Sequence, residues 1–200
     1  MKKIILAVSA ISLAACTLGR TSEPARFYAL STPNVEQVRG PSSRVNVAVD
    51  NISVPQSVDR PQIVIKHPNS NMLTVSEFDR WIEGLANALP IVISENMNMY
   101  AKNINARPGH GAMSDSNRGY HVSIDFVRFD TEIDGMITIS GWWTITNNRG
   151  DIVAQKKTTK TAVTPDGDID EPDYDAIVRV QSKLIAEMSY KIADVISELK

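Results

Sequence analysis

The sequence is poor in the residues that form covalent cross-links, metal centres and nucleic-acid interfaces. It has one cysteine, Cys16, and three histidines among 200 residues. A single cysteine excludes a disulfide within the monomer. The histidines are scattered, so no Cys/His metal site is predicted and no cofactor is expected. The net charge of −2 comes without a basic tract, which argues against nucleic-acid binding.

The first fifteen residues have the pattern of a secretory signal peptide. Lys2 and Lys3 precede an apolar run over 4–15, which is shorter than the roughly 20 residues of a transmembrane helix. The junction Leu13-Ala14-Ala15-Cys16 resembles a lipobox, in which the cysteine is acylated before cleavage. We therefore expect a signal peptide at 1–15, and covalent diacylglyceryl and N-acyl lipid on Cys16.

Cleavage before Cys16 would leave 185 residues with a net charge of −4, because Lys2 and Lys3 are removed. This length suits one domain with a hydrophobic core. Residues 16–25 are small and polar and predict a lipidated tether, followed by a single α+β periplasmic domain at 26–200. Thr17 stands where an Asp commonly retains lipoproteins at the inner membrane. The expected location is the inner leaflet of the outer membrane, with the domain facing the periplasm.

The first half of the domain predicts short strands followed by a helix. Strands are expected near 26–30, 44–52 and 62–65, and a further short one at 71–74. Apolar residues recur at helical spacing from Phe78 to Met97, so a helix is expected to begin near Ser76, which would cap it. Pro90 lies inside this pattern and is expected to kink or split the helix. Residues 105–118 are expected to form a mobile loop.

The second half predicts a three-stranded meander and a long final helix. Residues 120–126, 137–145 and 152–161 alternate between apolar and polar positions, with turns near Asp134-Gly135 and over 147–150. An apolar stripe over 173–199 predicts the helix. The expected fold class is therefore α+β, with a mixed or antiparallel sheet and two long helices packed on one face.

Few residues carry recognisable chemistry. The acidic residues within 166–175 resemble a calcium loop only superficially, because Gly167 comes too early and no Glu follows at the required spacing. His110 lies in the predicted mobile loop, and His121 is expected at the surface. No nucleophile elbow or phosphate loop occurs. The sequence therefore does not favour an enzyme.

Trp142 and Trp143 are adjacent on a predicted strand, so they must point to opposite faces. One is expected in the core, and the other either at the core edge or at a partner-binding surface. Asp59-Arg60 belongs to a turn whose role is either structural or in an interface. Asp59, Arg60 and Trp142 are the candidate partner-interface residues.

Several segments, taken in order, resemble the PqiC-type auxiliary lipoproteins of ABC-linked lipid transport systems. After the lipobox come Arg26-Phe27-Tyr28-Ala29-Leu30, a Val-rich strand that ends at Val54-Pro55, the segment from Val58 to Val64, and Glu77-Phe78-Asp79-Arg80-Trp81. The resemblance covers most of the mature chain. It implies a docking role with an MCE-domain transport protein, in a homo-oligomeric ring at the outer membrane that supports envelope integrity.

Two other functions compete with docking. A lipid-binding carrier lipoprotein would need an apolar cavity that holds an acyl chain, and the chain shows no excess of apolar residues beyond a core. An envelope hydrolase would need a Ser/His/Asp arrangement that no motif indicates. The docking function is therefore preferred, with the carrier as its alternative.

Replacement of the cysteine tests the anchor. Cys16→Ser removes the thiol that takes up lipid, so the variant should incorporate no radiolabelled palmitate and should lose its membrane attachment on cell fractionation. The wild-type chain, labelled in parallel, is the control. Continued labelling of the variant would contradict the assignment.

Overall fold

The computed structural model of the chain describes residues 23–34, 36, 44–109, 119–165 and 172–199. The signal peptide, Cys16, His110 and most of the acidic segment lie outside these residues. The described residues form eight strands and two helices, in the following order: β1 (Arg26–Tyr28), β2 (Val45–Ser53), β3 (Gln62–Lys66), β4 (Leu73–Trp81), α1 (Leu85–Tyr100), β5 (Ile104–Pro108), β6 (Gly119–Thr131), β7 (Met136–Asn147), β8 (Ile152–Val163) and α2 (Tyr174–Glu198).

The strands form two sheets. The larger sheet has the order β5-β2-β6-β7-β8, in which β2 runs parallel to β5 and β6, while β6, β7 and β8 form an antiparallel meander. The smaller sheet has the order β1-β4-β3. Both helices contact the larger sheet and each other. The predicted α+β class and the predicted meander are confirmed.

The meander follows the alternation in the sequence. Ile137, Ile139, Trp143 and Ile145 are completely buried in the core. Gly141 lies opposite Phe126, where a Cβ atom would come within 2.9 Å of the Asp125 carbonyl oxygen. The close approach of the two backbones therefore requires glycine at this position.

The final helix begins one residue later than the predicted start. Asp173 caps it, since its Oδ1 accepts a hydrogen bond of 3.0 Å from the amide of Ala176. The predicted apolar stripe is buried at Ile177, Leu184, Met188 and Ile192. These side chains join the core beneath the larger sheet.

The prediction of a helix from Ser76 was wrong, because residues 73–81 form β4 and α1 begins only at Leu85. β4 has hydrogen-bonded neighbours on both sides, β1 and β3. An irregularity in its pairing with β3 breaks the two-residue period of the strand. The apolar spacing of Phe78 and Trp81 consequently imitates that of a helix.

Two further predictions about this region, a kink or split at Pro90 and a loop over 105–118, are each corrected in part. Pro90 does not split the helix, which continues as one element from Leu85 to Tyr100. Because Pro90 lies in the second turn, its missing amide removes one intrahelical hydrogen bond, and burial of Leu89 and Ile93 offsets that loss. The predicted loop at 105–118 begins as strand β5 over 104–108.

An asparagine side chain stabilises β5. Asn98 of α1 accepts a 2.7 Å hydrogen bond from the amide of Ala106 and donates a 2.9 Å bond to its carbonyl. The other edge of β5 pairs with β2. No periodic pattern in five residues that end in Pro108 could have predicted a strand held in this way.

A buried carboxylate fastens β1 to the rest of the domain. Asp79 of β4 accepts bonds of 2.7 and 2.9 Å from the Arg26 guanidinium, 3.0 Å from the Tyr28 hydroxyl and 2.9 Å from the Ser76 hydroxyl. The Ser76 oxygen also accepts the amide of Asp79. Arg26 and Tyr28 come from a strand of only three residues, so these bonds supplement a short backbone ladder.

The protonation states follow from this geometry. Burial raises the pKa of the Asp79 carboxyl, but the hydrogen bonds from Arg26, Ser76 and Tyr28 outweigh burial and lower that pKa overall. Burial and the bond to Asp79 raise the pKa of Tyr28 to about 12. Asp79 is therefore charged and Tyr28 is neutral at neutral pH.

Asp79→Asn tests this network. The substitution removes the charge from a side chain that accepts four hydrogen bonds, so the free energy of unfolding at pH 7 should fall by roughly 2 kcal/mol. Because the folded pKa of Asp79 lies below its unfolded value, the wild-type advantage is complete at neutral pH and is lost as the pH falls below about 4. Urea unfolding at pH 7 and pH 3 measures both effects.

Glu23→Gln is the matched control. Glu23 also pairs with Arg26, at 3.0 Å, but both side chains are about half exposed at that contact. Exposed ion pairs of this kind contribute little to stability, so no measurable change is expected. Equal stability of Asp79→Asn and the wild type at pH 7 would refute the role of the network.

Candidate functional site

The exposed aromatic residue of the meander lies on the face of the larger sheet that the helices do not cover. Trp143 points into the core, where its Nε1 donates a 2.9 Å hydrogen bond to Thr158. Trp142 points the other way and is 47% exposed. The Nζ of Lys157, its partner on β8, lies 6.0 Å from the centroid of the Trp142 ring. The structure thus resolves which tryptophan is exposed.

The surroundings of Trp142 are polar and are ordered by hydrogen bonds within the face. Ser140 bonds to Thr159 at 2.8 Å, and Gln155 donates to Thr144 at 3.1 Å. Asp125, which pairs with Trp142 across the strands, accepts a hydrogen bond from Ser53. Trp142 is therefore a large, exposed apolar side chain surrounded by polar side chains, as many residues that contribute strongly to binding interfaces are.

His121 lies on the same face and is one-third exposed. Its Nδ1 lies 2.7 Å from Oδ2 of Asp50, whose carboxylate is buried. The predicted surface position is therefore only partly exposed, and the ring is oriented by a carboxylate. Among the described residues, no cluster of three or more His, Cys, Asp or Glu side chains could hold a metal ion.

Asp59 and Arg60 occupy an exposed turn just before β3. The turn is closed by amide bonds from Val58 and Asp59 to the carbonyl of Pro55, at 3.0 and 3.1 Å. In the described part of the chain, no hydrogen bond or ion pair links either residue to the Trp142 side chain. The three candidate interface residues therefore belong to different elements, Trp142 to β7 and the other two to the turn between β2 and β3.

The surface of the described residues includes a polar cleft and an apolar groove. The polar cleft, of about 550 Å³, lies between the β3–β4 and β6–β7 turns and is lined by Lys66, Asn69, Asn71, Glu132 and Asp134, among others. The apolar groove, of about 140 Å³, lies between the ends of β1 and β4 and helix α1, with lining residues that include Tyr28, Leu30, Trp81, Ile82, Ile91 and Val92. The sequence did not indicate this groove, because residues 76–82 were assigned to a helix.

No helix in the described ranges is long and apolar enough to cross a membrane. The sequence matches the model of the family described as ABC-type transport auxiliary lipoprotein component, over residues 28–193. A comparison with curated proteins finds no significant match. The matched range includes almost the whole described domain, and the resemblance inferred from the sequence is confirmed.

Solved structures share the fold. A crystal structure of an uncharacterized protein superposes with a TM-score of 0.69 at 18% identity, covering 87% of this chain and 99% of that chain. A DUF330-family protein from Xanthomonas campestris superposes with a TM-score of 0.65 at 16% identity, covering 84% and 93%. The family match over 28–193, together with this shared fold, shows that the chain belongs to the ABC-type transport auxiliary lipoprotein components.

Proposed function

We propose that this lipoprotein docks an MCE-type periplasmic lipid-transport conduit at the inner leaflet of the outer membrane and thereby supports envelope integrity, without catalysis of its own. Family membership over residues 28–193 supports an auxiliary role in transport. The observation that carries the docking function is the exposed Trp142 on the helix-free face. In this proposal the domain works as a homo-oligomeric ring around the end of the conduit.

Trp142 has the properties of a binding anchor. Its ring is held against Lys157, and the hydroxyl groups around it are already hydrogen-bonded to one another. A partner that covers the ring therefore gains apolar burial without leaving those hydroxyls unsatisfied. Large aromatic side chains in such settings contribute most of the binding energy of many interfaces.

The lipid on Cys16 would supply the second part of the function. Acyl chains contribute about 0.8 kcal/mol per buried CH₂, so two or three chains hold a domain at the bilayer permanently. Confinement near the membrane raises the effective concentration of the docking face. A modest affinity at Trp142 is then sufficient to capture the tip of the conduit.

The alternative of a lipid carrier gains no support from the described apolar groove. Its volume of about 140 Å³ is below the roughly 300 Å³ at which ordinary ligand pockets begin. A groove of this size accommodates one side chain, whereas a phospholipid acyl chain is considerably larger. The docking function is therefore preferred.

Crosslinking in the envelope tests the docking function. The wild-type lipoprotein, crosslinked and purified from outer membranes, should recover an MCE-domain protein. Trp142→Ala should lower that recovery by about tenfold or more, since it removes the anchor while leaving the core intact. Quantitative mass spectrometry of the purified material measures the recovery.

Ile152→Ala is the matched control, because Ile152 is also a large exposed apolar residue on the meander and its loss should leave recovery unchanged. If the wild-type protein reaches the outer membrane and recovers no MCE-domain protein, the docking function is wrong. If Trp142→Ala recovers as much as the wild type, docking uses another surface.

A further inference from the structure

The smaller sheet has an outer face that carries large apolar residues. Directly paired residues point the same way, and Gln62, Val64 and Lys66 alternate with the buried Ile63 and Ile65 along β3. The pairings Phe27–Arg80, Val64–Val75 and Lys66–Leu73 therefore put Phe27, Val75 and Leu73 on the outer side of the sheet. Val64, on the same side, is only 8% exposed, and the pairing shifts register next to it. The opposite face, with Ile63, Ile65 and Trp81, is buried in the core.

The exposure of this outer face is unusual for a sheet in water. Phe27 is 58% exposed, Leu73 is 47% exposed and Val75 is 39% exposed, and Met72 beside them is also exposed. The solvated face of a sheet normally carries polar residues. A group of apolar residues in contact with water usually marks a surface that something covers. We call Phe27, Met72, Leu73 and Val75 the apolar face.

Two cations border the apolar face. Arg80 of β4 is paired with Phe27 of β1 on one side and with Gln62 of β3 on the other. Lys66 of β3 is paired with Leu73 of β4. The Lys66 side chain is one-third exposed, with its Nζ 3.9 Å from Asp130. Long basic side chains can bury their stems in an apolar surface while the charged ends reach toward lipid phosphates.

Only a short stretch of chain connects the proposed lipid on Cys16 to Phe27 of this face. Ten residues separate Cys16 from Phe27, so even at full extension the two positions are at most about 40 Å apart. Phe27 is the central residue of β1, and its neighbours Arg26 and Tyr28 are bound to Asp79. Of the apolar face, Phe27 thus belongs to the first described strand after Cys16.

We propose that the apolar face rests on the headgroup region of the anchoring bilayer, with Phe27, Leu73 and Val75 inserted at the acyl boundary and Lys66 and Arg80 facing lipid phosphates. This inference rests on the proposed acylation of Cys16. The short tether brings this face to the bilayer, and the combination of apolar side chains with flanking cations matches an interfacial lipid surface. The contact fixes the orientation of the larger sheet relative to the membrane.

Site-specific fluorescence tests the orientation. Leu73→Cys or Val75→Cys is introduced into the lipidated protein, whose Cys16 is blocked by its acyl groups, and is labelled with an environment-sensitive dye. In vesicles of phosphatidylethanolamine and phosphatidylglycerol, emission from either site should shift to the blue and be quenched by lipids that carry a shallow nitroxide. The same label at Gln155→Cys, on β8, should keep emission typical of water.

A water-like signal at both Leu73→Cys and Val75→Cys in vesicles would overturn the proposal. So would shielding that appears without lipid as the protein concentration rises, because the face would then bind a second copy of the chain. Shielding that needs an added MCE-domain protein would assign the face to that partner instead, and would also overturn it.

A second measurement removes the anchor. The mature Cys16→Ser chain should sediment weakly with the same vesicles, and Phe27→Ser/Leu73→Ser/Val75→Ser should lower that partition by about tenfold or more. The matched control is Val127→Ser/Ile152→Ser/Val163→Ser, which alters three exposed apolar residues of the larger sheet and should leave partition unchanged. Far-UV circular dichroism verifies that both variants are folded.

Equal partition of the two triple variants, both folded, would overturn the proposal. The vesicles contain no other protein, so neither measurement depends on the docking partner. If Cys16 is not acylated, the mature wild-type chain does not float stably with vesicles. This result is obtained from flotation alone, before any fluorescence is measured. Failure of the anchor, of docking and of the lipid contact therefore gives three different results.

Discussion

The carboxylate of Asp79 lies where β1 meets the irregular segment of β4. It is almost completely buried, so it is stable as a charge only because Arg26, Tyr28 and Ser76 all donate to it. Arg26 and Tyr28 hold β1 against β4, while Ser76 closes the irregular segment within β4. Since β1 is the first strand in the described part of the chain, the attachment of the N-terminal segment to the smaller sheet depends on this one buried charge.

Sequence patterns predicted the parts of the fold whose periodicity is regular. The meander alternates strictly over most of its length, and α2 carries an uninterrupted stripe with Asp173 at its start, so both were predicted within a few residues. β4 was mistaken for a helix because its irregular pairing with β3 replaces a two-residue period with spacings of three and four. β5 was missed because its order comes from Asn98 on another element, which no local pattern reveals.

For the candidate surfaces, too, the sequence predicted what neighbouring residues decide and missed what strand pairing decides. Adjacent tryptophans on a strand had to face opposite ways, but only the register with β6 and β8 decides that Trp142 is the exposed one. Asp59 and Arg60 lie in the turn that follows β2, and only the sheet order shows that β6 separates β2 from β7 and its Trp142. The apolar face could not be predicted from the sequence, because only the pairing of β4 with β1 and β3 puts Phe27, Leu73 and Val75 on the same side of the smaller sheet.

The position of β2 has a consequence for how the chain folds. β2 lies between β5 and β6, yet both of these neighbours follow α1 in the chain. Val47 and Val49, which are completely buried in the finished domain, have no strand to pair with in the larger sheet until residues beyond 100 are present. Such non-local pairing is slow to form. A chain that emerges from its N-terminus would therefore keep β2 unpaired until its second half has arrived, although all strands of the smaller sheet lie in its first half.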